Sequence, residues 1–318
     1  MGRPRPRAAV AVVAAALGGL AIAQTAEPPL RAMRWAPADA DPLRAFGQAP
    51  AECLKPPAEP ALAQKVEIGR AAFRTPVVLG GQAARAGLSC ESCHRSGRGN
   101  PDFLFPGVSG APGTADVTSS LFSSHRGNGA FDPRPIPDLG GPKSALKVKP
   151  EALRSFIHGL VVEEFDGPEP PAAVLDGLVA YVRAMDPAYC AGNEGPVTLA
   201  GLMADYSRAL AAADAALAGG DRPTAVLMVA AARARLALAH ERFEDADVRL
   251  RIVAEDQLLA ELQDRLRGGR RDAAGRLAER RKRAGALEAA LARYEPASLF
   301  DPDRLAEAAK RRLRAGPS

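Results

Sequence analysis

Cysteine and histidine are scarce in this chain, four of each in 318 residues, and aromatic side chains make up only 5%. A structural zinc site needs four Cys or His ligands, usually from two paired knuckles. Only one cysteine pair is closely spaced, Cys90 with Cys93, while Cys53 and Cys190 are isolated from one another and from any paired histidine. Zinc is therefore disfavoured. A net charge of +5 hints at nucleic acid, but no aromatics interleave the basic residues, and part of the charge sits in the first seven residues. Nucleic acid is not expected as a partner. No Ser/His/Asp arrangement and no Gly-rich phosphate loop has the context for hydrolytic or nucleotide chemistry.

Apolar runs are short as well. Ala8 to Ile22 spans about 15 residues, against the ~20 that cross a bilayer. It follows Arg3, Arg5 and Arg7 and ends in Ala21, Ile22 and Ala23, a small-x-small cleavage pattern. Residues 1–23 are expected to be a secretory signal peptide, leaving a periplasmic chain with no transmembrane segment. Export changes the reading of the isolated cysteines. An even remainder in an oxidising compartment predicts one disulfide, Cys53 to Cys190, tying the beginning of a domain to its end, with two buried free thiols as the alternative.

What is present centres on residues 90–94, Cys-Glu-Ser-Cys-His. This spacing is the attachment signature of c-type haem: two thiols form thioethers with the porphyrin and the adjacent imidazole ligates iron. A thioredoxin-like CxxC opens a helix after a strand in an α/β unit, whereas "AARAGLS" precedes this one and no β/α alternation surrounds it. The expectation is one covalent haem c on Cys90 and Cys93, with His94 as its proximal ligand. Such attachment happens outside the cytoplasm, in agreement with the signal.

Composition shifts near residue 195 and divides the chain into a signal peptide (1–23), a Pro-rich entry segment (24–52), a c-type haem domain (53–194) and an α-helical domain (195–318). The expected fold class is mainly α: a haem domain with long loops, then a helical hairpin or bundle. Turn residues punctuate 101–150 too densely for regular structure. Helical patterns cover about 62–73, 150–159 and 172–185, and Val174, Leu175, Leu178, Val179 and Val182 share a face. Beyond 197 the pattern is Ala-, Leu- and Arg-rich, with turns at Gly219-Gly220 and Gly268-Gly269. "ERFEDAD" marks a possible further helix start, and a coiled-coil-like element is the alternative to a bundle. "ERRKRAG" at 279–285 reads as a solvated face, with docking to an acidic partner or anionic lipid as the sharper alternative.

Three stretches carry a family resemblance: "IGRAAFRTPVVLGG" before the motif, "TADVTSSLFSSHRGNGAFDP", and "EALRSFIHG" with "LDGLVAYVRAM". Over about residues 60–188 the chain resembles bacterial cytochrome c peroxidases and their MauG-like relatives, in which a Gly-x-x-x-Phe helix precedes the haem motif. Gly69 and Phe73 occupy those places, and the resemblance implies that Phe73 packs near the haem. It also implies a distal iron ligand at His158, where that family's electron-transfer haem often carries Met. His125 is the alternative, and an open or otherwise ligated iron is the third possibility; His125 otherwise reads as a loop cap or propionate partner, beside Arg126, whose guanidinium pairs well with a propionate. Met185, at the end of an amphipathic helix, reads as core. The family is normally di-haem, and a single CxxCH leaves no internal relay.

Two functions follow as expectations. A six-coordinate haem shuttles electrons to or from a redox partner protein, with the carboxy-terminal helices docking a partner. Alternatively, an open distal site admits hydrogen peroxide and makes the chain a peroxidase-like enzyme.

Overall fold

The structure is a computed structural model that describes residues 30–118, 121–124, 127–142, 148–190 and 194–315. The signal peptide, His125 and Arg126 lie outside the described residues. The described residues are 62% helix and 4% strand, mainly α as expected.

Proline and glycine govern where the first half becomes regular. After a two-residue strand, β1 (Gln48–Ala49), helix α1 (Pro60–Phe73) begins on Pro60, in a first turn where a missing N–H costs nothing. It buries Val66, Ile68, Gly69, Ala72 and Phe73. Two single turns follow, α2 (Gly81–Arg85) and α3 (Cys90–Cys93). The loop-rich stretch beyond them forms only a short antiparallel ladder among the described residues, β2 (Thr114–Ala115) with β3 (Arg134–Pro135). Then come α4 (Leu153–Gly159) and α5 (Ala172–Ala184).

Helices α1 and α5 cross backbone to backbone. A Cβ placed on Gly69 would lie 1.9 Å from the Gly177 carbonyl oxygen, so a side chain at Gly69 would hold the helices apart. Beside the crossing, the Phe73 and Tyr181 rings meet edge to face at 5.1 Å. The Cys53–Cys190 disulfide is formed, with Cα atoms 4.2 Å apart across 137 residues of sequence.

The second half opens with β4 (Gly195–Pro196), which pairs antiparallel with β1. Four long helices then fold back and forth: α6 (Leu199–Ala218), α7 (Arg222–Arg242), α8 (Ala246–Arg267) and α9 (Ala273–Ala292). Thr198, Asp221 and Asp245 cap the first three by accepting backbone N–H groups. "ERFEDAD" therefore does start a new helix. Gly220 and Gly269 reverse the chain at φ 78° and 65°, values that favour glycine. α6 packs on α7 and α9, and α7 on α8, which makes the expected bundle.

A last helix, α10 (Pro302–Ala315), packs on the entry segment through Leu305 and Ala308, joined by Leu299 just before it, against Leu30, Met33 and Phe46. The compositional break at 195 coincides with β4, yet the apolar core crosses it, running from Val66 through Tyr181 to Leu291. The basic run is largely paired within the bundle, with Arg280 on Glu255 at 2.9 Å, Arg281 on Asp214 and Arg283 on Glu279. Among the described residues no helix is long and apolar enough to cross a membrane.

Candidate functional site

The single turn of α3 puts Cys90, Cys93 and His94 on one side and Glu91, Ser92 and Arg95 on the other, because residues three and four apart share a helix face. The turn is pinned at its start, where the Ser89 N–H donates to the Ser92 hydroxyl. Both thiols are free. They pack against the cluster of Phe103, Phe105 and Phe122, and Cys90 also touches the main core. Burial pushes both thiols up to about 12, so they stay protonated at neutral pH.

His94 closes the turn. Its Nδ1 lies 3.0 Å from the Pro137 carbonyl oxygen. A carbonyl only accepts, so Nδ1 carries the proton and Nε2 keeps a free lone pair, the tautomer of a metal-ligating imidazole with its outer hydrogen bond in place. Burial lowers the His94 pKa to about 4, against the opposing pull of Pro137 and Asp138, so the ring is neutral at pH 7. The Phe73 ring stands 6.3 Å from it. Past His94 the chain bends back through Ser96 and Gly97, at φ 50° and 75°. Gly97 lies against the Met185 thioether: an added Cβ would come within 2.3 Å of its Sδ. Met185 is fully buried and fills this turn from below, the core role its sequence position suggests.

Behind the turn is a charged network that sequence reasoning missed. Glu91 accepts the Ser96 N–H at 2.9 Å and faces Arg74 at 3.5 Å. Arg74 also donates to Asp205 at 2.7 Å and to Glu52 at 3.0 Å, and Glu52 takes further bonds from Arg70 and the Tyr181 hydroxyl. Arg235 donates to the Arg74 carbonyl. Burial opposes the Arg74 charge, but Glu91, Asp205 and Glu52 outweigh it and hold its pKa well above the ordinary value. Burial raises Glu91 despite Arg74. The turn of residues 90–94 is thus tied to α1, α5, α6 and α7. The one sequence signal for this was the carboxylate inside the motif itself.

His158 sits near the end of α4, about one-third exposed, with Nε2 2.8 Å from Glu169 Oε2. The structure thus joins Cys90, Cys93, His94 and Phe73, and it holds His158 through Glu169. Among the described residues no group of three or more His, Cys, Asp and Glu is arranged to hold a metal ion. The residues present fit a covalent haem: two free thiols, an imidazole in the ligating tautomer, and apolar clusters on both sides of Cys90. Comparisons with protein-family models, with curated proteins and with solved structures returned no match.

Proposed function

We propose that this chain is an exported, periplasmic, mono-haem c-type cytochrome that exchanges electrons with a redox partner protein, with its helical half supplying a docking surface. One observation carries the reading. His94, with Nδ1 bonded to Pro137 and Nε2 free, follows directly on two free thiols, while the other two cysteines are joined to each other. A haem held there supplies a one-electron iron centre. Cys90 and Cys93 hold it by thioethers, and His94 is its proximal ligand. Pro137 orients the imidazole and Phe73 packs beside it.

The resemblance to cytochrome c peroxidases and their MauG-like relatives supports the helix crossing ahead of the motif more than it supports their reaction, since one motif leaves no second haem. His158 is the distal ligand in this reading, once it gives up Glu169; His125 is the alternative, and Arg126 a propionate partner. The His158–Glu169 bond also favours a second reading, in which iron keeps an open face and the chain acts on hydrogen peroxide.

Expression with a c-type maturation system and intact-mass measurement should show one haem added and cleavage near Ala23; two haems or none would refute the proposal. Wild-type protein should be low-spin and inert to peroxide, and His158→Ala should turn it high-spin. A low-spin His158→Ala spectrum moves the role to His125, and a wild type already high-spin and consuming peroxide supports the enzyme.

A further inference from the structure

We propose that the cavity of about 490 Å³ between the back of α3 and helices α6 and α7 binds a small organic anion, with an apolar body and carboxylate groups, through Arg95, Arg235 and Arg242. The volume is in the range of small-molecule sites. Its walls include Glu91, Ser92 and Arg95 but none of Cys90, Cys93 and His94. The cavity is therefore reached from the face of the motif turn that carries Glu91, Ser92 and Arg95, and it shares Trp35 and Phe103 with the apolar cluster behind the thiols.

The charge of its lining is unbalanced. Seven arginines and five carboxylates face it. The carboxylates are already engaged. Glu241 pairs with Arg31 at 2.8 Å, and Asp102 with Arg44, which is not itself in the wall. Glu52, Asp205 and Glu91 belong to the network of Arg70, Arg74 and Arg208. Three arginines form no ion pair with these carboxylates, although Asp205 and Glu91 still act on Arg235 across the network. Arg235 and Arg242 are each only 8% exposed, and Arg95 is half-buried.

Among the described residues these three bond backbone carbonyls rather than carboxylates. Arg235 bonds that of Arg74, Arg242 those of Leu299 and Phe46, and Arg95 those of Gln48 and Arg44. A carbonyl satisfies a donor without neutralising its charge. The cost is visible at the two most buried of them: burial lowers the pKa of Arg235, and that of Arg242 to about 10. An anion in the cavity relieves that cost with charge-assisted bonds. Trp35, Phe46, Phe103 and Leu238 supply apolar wall for the rest of the ligand.

Isothermal titration calorimetry of the purified full chain with isophthalate tests the assignment, with the uncharged isophthalamide and inorganic phosphate as controls. Isophthalate should bind saturably and at least about tenfold more tightly than isophthalamide. Arg235→Gln should weaken it by a similar factor while the chain keeps a cooperative melt. Should Arg235→Gln fail to fold, the less buried Arg95→Gln should show the same loss. Equal affinity for the neutral diamide, unchanged affinity in a folded variant, no saturable isophthalate binding, or binding of phosphate alone would each overturn the assignment.

Discussion

Replacing Gly69 by alanine adds one methyl group where two helices already touch through their backbones. The new Cβ would lie 1.9 Å from the Gly177 oxygen, 2.2 Å from its carbonyl carbon and 2.7 Å from the Leu178 nitrogen. Carbon and oxygen in close helix contact stand roughly 3.3 Å apart. A flexible side chain could swing aside, but a hydrogen-bonded helix backbone cannot, so α1 and α5 must separate by more than about 1 Å. Separation loosens the Phe73–Tyr181 contact and the packing of Val174 and Leu178, all fully or nearly fully buried. Overpacking costs ~1–3 kcal/mol and sometimes more, and a rigid obstacle places this substitution near about 3 kcal/mol. The ~1 kcal/mol that alanine gains over glycine in a free helix does not offset it. For a chain of this size the melting temperature should fall by about 5 °C. Gly285→Ala on α9 is the control: nothing lies within 4 Å of the added Cβ, so the propensity gain stands alone and the melt should rise by about 1–2 °C. Far-UV circular dichroism follows both melts. A Gly69→Ala chain melting within about 2 °C of wild type would refute the backbone-contact argument.

Cys190→Ser opens a loop of 137 residues, and loop-closure entropy sets its cost at up to about 5 kcal/mol. The urea midpoint should drop to match wild type in reductant; a wild-type midpoint insensitive to reductant would refute this. Asp205 gives a pH signature: burial alone would raise its pKa, but Arg74, Arg235 and Arg208 outweigh burial and hold it below the ordinary 3.8. A depressed carboxylate stabilises fully above its unfolded value and loses that stabilisation as pH falls through its folded value. Unfolding free energy should therefore decline below about pH 4, and Asp205→Asn should be less stable at neutral pH with a shallower acid decline. Parallel wild-type and variant curves between about pH 7 and pH 2 would refute the pairing.

Several features were legible in the sequence because their physics is local. The two thiols and the imidazole of residues 90–94 lie within one helical turn, so spacing alone brings them together. The double glycines at 219–220 and 268–269 likewise act on the few residues beside them. The Cys53–Cys190 bridge was legible by elimination, from a count of four. Gly69 could be noted as the glycine of a Gly-x-x-x-Phe pattern, but its partner Gly177, 108 residues later, shows only where α1 crosses α5.

The tertiary structure alone decided which distant groups meet. Glu52, Arg74, Glu91, Asp205 and Arg235 come from five separate segments, and nothing in the spacing of such common residues marks them as one buried network. "ERRKRAG" looks like a free basic face until Glu255 and Asp214 arrive from other helices to pair with it. The Pro-rich entry segment gave no sign that Leu30, Met33 and Phe46 would pack on α10 at the far end of the chain. A CxxCH motif needs only neighbours along the chain. Charge pairing, burial and cavities depend on what folding brings across from elsewhere, and a residue carries no local mark of the partner that will face it.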